Sequence, residues 1–403
     1  MVILFVIINF LKKHMNKYFE VQCPYCFKKL KYNNAVFRMN SGEKCTDLYL
    51  RNYHIENGNT AFERVDYGVV DPANLHKSQL EIDDEGYIIG VENPEVTSRL
   101  PLRQRLCPYC HNNLIPNFGR QNVKYIAVVG VPNSGKTTFL AAINDSLRKK
   151  SWNWNSLNAQ ANRPLDAVTE LYSLNKQQAR VATKSVQGPF IYRMNCSDKN
   201  DTKNSYDNQI VFFDVPGEFY SSSDSLSRSL SLFISKADGI VFIINAAESL
   251  EYSQAVKSGA QVSMISCNDI LEAFEQTGLL KDKKVAIVFN KLDKVKKELG
   301  INDVDNFITN KTEKSVDLFH VKSRSDSIID LMLAEKSDYQ NDIQRTLSNY
   351  MRRIKQVFGE KNCVFATRLM VEDDSGFYFR SDGAETPLLW LLSEIGAFPK
   401  RKI

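Results

Sequence analysis

No stretch of this sequence is apolar for long enough to cross a bilayer. Its longest such run, Met1 to Leu11, has eleven residues and is closed by Lys12 and Lys13, whereas a spanning helix needs about 20. A secretory signal would carry its positive charge before the run and a small-residue cleavage site after it. Neither pattern fits, so export by that route is not expected. A strong charge of one sign is also missing. The 52 Lys and Arg against 47 Asp and Glu leave a formal net charge of +5, too mild by itself to imply a nucleic-acid partner. With 43% hydrophobic and 25% charged residues, the composition argues against disorder. These absences point to a cytoplasmic globular protein with no stable membrane insertion. Its 403 residues suffice for two or three domains. A second methionine, Met15, opens "MNKYFEVQCPYC". Residues 1–14 are therefore expected to be an upstream extension, the alternative being a short lead that touches a membrane.

Cysteine is present but not in a disulfide pattern. Of eight cysteines, four lie in two copies of CPYC, at Cys23 to Cys26 and Cys107 to Cys110, while Cys45, Cys196, Cys267 and Cys363 are scattered. A reducing cytosol does not sustain disulfides, so the scattered four are expected to be ordinary buried or bystander thiols. Two readings remain for the CPYC pair: metal knuckles or a redox dithiol.

The longest set of connected signals starts at "YIAVVG", a short β-branched run of the kind that makes a buried strand. It leads into Gly130, Val131, Pro132, Asn133, Ser134, Gly135, Lys136 and Thr137, a complete G-x-x-x-x-G-K-[ST], followed by Thr138 and a helical pattern with a basic end. Glycines let the backbone N–H groups turn inward, and the helix N-terminus adds its positive end, so the loop cradles phosphates. Lys136 is expected on the β- and γ-phosphate oxygens and Thr137 on Mg²⁺.

Three further motifs end buried-strand runs. "IVFFDVPGE" holds Asp214 and Gly217 in a D-x-x-G; Asp214 would hold Mg²⁺ through a water, and the Gly217 N–H would sense the γ-phosphate. "KKVAIVFNKLD" holds Asn290, Lys291 and Asp293 in an N-K-x-D. The Asp293 carboxylate can accept both N1–H and the 2-amino group of guanine. Adenine offers no donor there and would leave the carboxylate unpaired, a difference that can reach about 10⁴–10⁵ in selectivity. Asn290 would brace the turn, and the Lys291 stem would cover the ring. Finally "NCVFATRLM" brings Ala366 and Thr367 to where a backbone N–H meets the guanine O6. Each motif is weak alone, but their common order at strand ends is specific, because open α/β sheets bind ligands at that edge.

On these residues the chain resembles P-loop GTPases of the TRAFAC class over roughly residues 123–400. The resemblance implies an α/β three-layer sandwich with a mostly parallel sheet, and Mg²⁺-dependent hydrolysis of GTP to GDP. Two departures stand out. Glu218 follows the D-x-x-G where signalling GTPases place a water-orienting glutamine; its charge is repelled by the γ-phosphate, so slow turnover is expected unless a partner or an arginine from elsewhere assists. The domain is also enlarged. About sixty residues separate the phosphate-loop helix from "QIVFFD", including "DAVTELYSLNKQQARVAT" and the strand-like "GPFIYRM". Thr183 is the best-placed switch threonine, with Ser185 behind it. A helical insert is expected over about 294–361, where 13 Lys and Arg intersperse with 11 Asp and Glu, as on a solvated face that meets a protein partner. "TPLLWLLSEIGAF" is expected to close the domain as a helix, with Trp390 packing rather than acting.

CPYC now has a context. Glutaredoxins carry those letters at the start of a helix, but "FKKLKYNN" after the first copy is too polar and too short for one, and a second copy has no role there. The metal reading explains the duplication. The two stretches share Leu30 with Leu114 and Asn33 with Asn117 at matching offsets, and two such turns complete one structural Cys₄ zinc site from Cys23, Cys26, Cys107 and Cys110. The 80 residues between the knuckles exceed the usual 15–20, but that lengthening costs only about 1.2 kcal/mol of loop entropy against about 10–16 kcal/mol from zinc. Residues 15–120 thus read as a zinc-ribbon module with a β-rich insert, including strand-like "DLYLRNYHI" and "GYIIGV", and residues 121–403 as the GTPase domain. From Met15 to Arg120, 13 Lys and Arg balance 13 Asp and Glu, so nucleic-acid binding is not expected. A zinc ribbon joined to an enlarged GTPase is similar to bacterial double-GTPase proteins of conflict (defence-like) systems. Only one phosphate loop is present, so a second GTPase would be another chain. The function expected is a slow GTPase switch that recruits an effector or a second GTPase. The alternative is a scaffold stabilised by nucleotide with negligible turnover.

Overall fold

The computed structural model describes residues 21–31, 33–56, 61–95, 100–149, 153–157, 165, 187–198, 201–214, 231–259, 265–278, 280, 282–301, 318–333, 341–359, 362–373, 376–379, 381 and 383–397. The chain divides into two compact units, Met1–Val123 and Lys124–Ile403.

The first unit is built from short strands: β1 (Val21–Gln22), β2 (Lys29–Leu30), β3 (Val36–Arg38), β4 (Lys44–Thr46), β5 (Val65–Tyr67), β6 (Val69–Val70), β7 (Leu80–Ile82), β8 (Ile88–Val91) and β9 (Arg105–Leu106). They pair antiparallel as β1–β2, β4–β5 and β7–β8, and as a three-stranded sheet in the order β6-β3-β9. Phe37, Met39, Val70, Ile88, Val91 and Leu102 form the small core between them. "GYIIGV" supplies β8, as its pattern predicts. "DLYLRNYHI" does not make a strand: Leu48–Glu56 is helix α1. Asp47 decides this. Its Oδ1 accepts the Leu50 N–H at 3.1 Å and its carbonyl accepts the Arg51 N–H at 2.9 Å, so the aspartate caps the first turn and overrides the β-propensity of Tyr and Ile.

The second unit follows the expected α/β order: β10 (Asn122–Gly130), α2 (Lys136–Lys149), β11 (Asn153–Ser156), β12 (Gln187–Asp198), β13 (Asp201–Asp214), α3 (Ser231–Lys236), β14 (Gly239–Asn245), α4 (Glu248–Lys257), α5 (Cys267–Thr277), β15 (Lys284–Asn290), α6 (Leu318–Met332), α7 (Asp342–Phe358), β16 (Asn362–Thr367), β17 (Met370–Asp373), β18 (Gly376–Phe379) and α8 (Glu385–Glu394). One seven-stranded sheet runs β11-β12-β13-β10-β14-β15-β16. Strands β10, β14, β15 and β16 are parallel, whereas β11, β12 and β13 form an antiparallel meander at one edge. The parallel strands are apolar through their middles, with polar residues at their ends, and buried there on both faces (β14 along its whole length), as crossover helices on each side require.

Helix ends are written locally. Ser266 and Asp269 form a reciprocal capping box at the start of α5, and Gly278 ends it in the left-handed region at φ 61°. Asn341 caps α7 by accepting the Gln344 N–H at 2.9 Å. Along α7, Leu347, Tyr350, Met351, Ile354 and Phe358 are buried at the spacing of one helical face, and Phe358 meets the rings of Phe242 and Phe274. This helix covers the sheet: the parallel β15–β16 connection needs such a crossover, so its interspersed charges occupy only the outer face. In α8, Leu388, Leu389, Leu391 and Leu392 are all buried, each contributing about 1.5–3 kcal/mol. Trp390 packs against Phe365, with ring centroids 5.7 Å apart. Among the described residues, no helix is long and apolar enough to cross a membrane.

Candidate nucleotide site and cysteine cluster

The loop between β10 and α2 is shaped by two residues with left-handed backbone, Asn133 at φ 61° and Gly135 at φ 91°. Space as well as conformation selects its glycines. A Cβ on Gly135 would lie 2.5 Å from Asn290 Nδ2, and one on Gly130 would lie 2.4 Å from the Ile243 carbonyl oxygen. The Ser134 N–H turns back to the Val131 carbonyl at 3.2 Å, and the Phe139 N–H donates to the Gly135 carbonyl as α2 begins. Lys136 is buried, and its ammonium donates to the Gly130 and Val131 carbonyls at 2.9 and 3.0 Å. The cation thus lies across the mouth of the loop's own backbone. Ser134 is wholly buried.

Thr137, in the first turn of α2, donates its hydroxyl to Asp214 Oδ2 at 2.7 Å. Asp214 ends β13 and is completely buried. A hydroxyl and a carboxylate oxygen so placed are hard donors of the kind Mg²⁺ takes, with the remaining positions left to water and phosphate. Gly217, Glu218, Thr183 and Ser185 lie outside the described residues.

Strand β15 delivers the other half of the edge. Asn290 donates from Nδ2 to the Ser134 carbonyl at 2.9 Å, while its Oδ1 accepts the Lys291 N–H at 2.9 Å and faces the Thr367 hydroxyl at 3.4 Å. Lys291 has a left-handed backbone, φ 64°, and its ammonium donates to the Asn133 carbonyl at 2.8 Å. Asp293 sits in the 3-10 turn Leu292–Val295. Burial pushes its carboxyl up, against the pull of Arg368, Lys294 and Lys291. In the parallel register Asn290 lies beside Thr367, and Phe289 beside Ala366, so the residues expected around a guanine stand on adjacent strand ends. Val131, Pro132 and Thr138 complete the loop and the first turn of α2.

Two charged residues at this edge were not singled out in the sequence. Arg368 directly follows Thr367, and its charge acts on Asp293; adjacency to the last motif was the available signal. Glu251, on α4, holds Lys291 at 2.8 Å and Lys294 at 2.7 Å. Nothing local marks it, since an acidic residue one turn into a surface helix is ordinary.

In the first unit the two CPYC turns are built alike. Cys23 N–H donates to the Lys28 carbonyl and Phe27 N–H to the Cys23 carbonyl; Cys107 N–H donates to the Asn112 carbonyl and His111 N–H to the Cys107 carbonyl. Phe27 and His111, the residues after each second cysteine, both take left-handed backbone, φ 57° and 50°. Backbone N–H groups of Tyr25 and Tyr109 point at the Cys23 and Cys107 sulfurs at 3.4 and 3.5 Å. The four sulfurs lie within 4.8 Å of one another, with Cys23–Cys110 at 3.8 Å and Cys26–Cys107 at 3.7 Å. Corners of a tetrahedron about a zinc 2.3 Å away are about 3.8 Å apart, so this donor set fits one such ion. Beside it, His111 Nδ1 meets Asp47 at 2.8 Å, and Arg38 donates to the same carboxylate at 2.5 Å. Burial would raise Asp47, but His111 and Arg38 hold it well below the usual carboxylate range. Leu30 and Leu114 are both buried. Asn33 and Asn117 diverge: Asn33 spans to Gly86 and Ile88, while Asn117 turns the chain at φ 61°.

No curated protein matches the chain. A crystal structure described as nucleolar GTP-binding protein 1 from Plasmodium falciparum is similar at 12% identity, covering 70% of this chain and 90% of that one, with a TM-score of 0.30, too loose a likeness to bear on the site. The sequence profile of the Double-GTPase 2 family matches residues 124–349. That span is more than half of the chain and takes in the phosphate loop, Asp214 and the Asn290–Asp293 turn, and on it the chain belongs to the Double-GTPase 2 family, P-loop GTPases of the double-GTPase type.

Proposed function

We propose that the protein binds GTP with Mg²⁺, hydrolyses it slowly to GDP, and uses the difference between the two states to recruit a protein partner. One observation carries this reading. The Asn290–Ser134 and Lys291–Asn133 hydrogen bonds lock the N-K-x-D turn against the phosphate loop, so a ligand with guanine at one end and phosphates at the other spans both. In this reading Asp293 accepts the guanine N1–H and 2-amino group, Ala366 and Thr367 offer backbone N–H to O6, and Lys136 and the loop N–H groups neutralise phosphate charge. Thr137 and Asp214 would hold Mg²⁺, which supplies charge stabilisation on the transferring phosphoryl group. Glu218 orients water poorly because its charge opposes that of the γ-phosphate, which supports slow turnover without assistance. The partner is an effector or a second GTPase chain, in keeping with a defence-type role. The four cysteines hold a structural zinc.

Equilibrium binding of GTP, ATP and XTP tests the base assignment. Asp293→Asn replaces an acceptor with a donor that matches the xanthine 2-oxo group, so preference should move from GTP to XTP by at least about 10²-fold. Unchanged selectivity would sink the assignment. Capture of partners on protein loaded with a non-hydrolysable GTP analogue or with GDP tests the switch. Identical sets in both states would contradict it.

A further inference from the structure

Glu251 belongs to none of the four nucleotide motifs, yet its carboxylate accepts from three side chains at the sheet edge. It receives Lys291 Nζ at 2.8 and 3.0 Å, Lys294 Nζ at 2.7 Å and Asn245 Nδ2 at 2.9 Å. The Lys291 ammonium also donates to the Asn133 carbonyl in the phosphate loop. The Lys291 ammonium thus meets both Glu251 oxygens and the loop carbonyl. The Lys291 side chain is therefore held at its tip between α4 and the phosphate loop. Lys291 and Glu251 are 18% and 20% exposed, so this is not the solvated surface pair whose contribution vanishes.

The helix that carries Glu251 is itself fixed. Asn245 Oδ1 accepts the Ala247 N–H at 3.1 Å where α4 begins, and Glu248, one turn before Glu251, accepts the hydroxyl of buried Tyr350 on α7 at 3.0 Å. Lysine otherwise has a flexible, strongly hydrated side chain that loses about 2 kcal/mol of rotamer entropy when ordered. Without the Glu251 carboxylate, the Lys291 ammonium would lose its ionic partner on α4, and its bond to the neutral Asn133 carbonyl would compete with water.

We propose that Glu251 is a positioning residue for the nucleotide: it fixes Lys291 against the phosphate loop and thereby sets how slowly bound guanine nucleotide leaves. This rests on the guanine-nucleotide reading above. Glu251 acts through Lys291, with Lys294 and Asn245 orienting its carboxylate. A change at Glu251 therefore alters dissociation rather than association.

The test is stopped-flow release of methylanthraniloyl-GDP from the full chain, for wild type, Glu251→Gln, Lys291→Ala and the double variant. Glu251→Gln keeps the shape and removes the charge, and should speed release about tenfold with an unchanged association rate. The double variant should release no faster than Lys291→Ala alone, because both changes remove the same contact. Glu251→Asp, one methylene shorter, should lie between wild type and Glu251→Gln and supplies the readout should Glu251→Gln fold poorly. Release within twofold of wild type for both Glu251→Gln and Glu251→Asp overturns the proposal, as does a double variant whose effect is the product of the two singles. Wild-type protein that retains no labelled GDP would instead overturn the guanine-nucleotide reading on which the proposal stands.

Discussion

The two units of this chain solve the same problem, holding a fold together, with opposite means. In Met1–Val123 the described strands run two to four residues, and an apolar cluster around Phe37 and Val91 sits among them. This unit also buries Leu30, Tyr87, Leu106, Leu114 and Phe118. It adds a four-sulfur cluster and a buried Arg38–Asp47–His111 group. In Lys124–Ile403 a continuous core runs from Ile126 through Phe139, Tyr192, Phe212 and Val241 to Leu392. Where the strands are short, polar and sulfur contacts join the apolar ones; where the core is continuous, buried polar groups such as Asp214, Asn245, Asn290 and Thr367 gather at the strand ends.

That contrast can be broken most forcefully at the sulfurs. Chelation, or Cys107→Ser, should remove about 10 kcal/mol or more of zinc-linked stability from the first unit. Hydrogen exchange should then lose protection over residues 21–115 while the sheet strands β10, β14 and β15 keep theirs. Uniform loss across both units would show that they are one cooperative body.

Asp47→Ala is the next largest. It leaves Arg38 buried without its nearest carboxylate and removes the cap of α1, for a cost of about 3–5 kcal/mol. Thermal melting of the zinc-loaded chain should show the loss in the first unit only. Leu389→Ala, at a fully buried position of α8, should cost the second unit about 2–5 kcal/mol while leaving the zinc content at one equivalent.

The smallest effect is a gain. Burial holds Glu248 up at about 7 rather than 4.5, eased by the Tyr350 hydroxyl and worsened by Asp269 and Glu251. The folded state therefore binds more protons than the unfolded one between about pH 4.5 and 7, and stability falls as pH rises through that window. Glu248→Gln keeps an acceptor for Tyr350 and should raise stability at pH 8 by about 1–3 kcal/mol, while flattening the slope. An unchanged slope in the melting temperature from pH 5 to 8 would exclude Glu248 as its source.

The nucleotide motifs were legible because each is local: a strand end and a few residues with fixed backbone demands, such as the left-handed Asn133, Gly135 and Lys291. The cysteine cluster was legible for the same reason, since two copies of one turn announce themselves. The strand expected over "DLYLRNYHI" rests on its Tyr and Ile, whereas the local Asp47 cap on Leu50 that starts α1 is itself held by Arg38 and by His111, the latter far away in sequence. Glu251 was invisible because its partners Lys291 and Lys294 lie some forty residues downstream.

By itself, then, the sequence determined the phosphate loop with the strand before it and the helix after it, the N-K-x-D turn at the end of a buried strand, and the two matching cysteine turns, all set by periodicity and by short-range backbone chemistry. Only the tertiary structure decided that α1 is a helix, that α7 covers the sheet, and that one glutamate clamps Lys291 to the phosphate loop. Those outcomes depend on which side chains exclude water together, and that is settled only when distant parts of the chain meet.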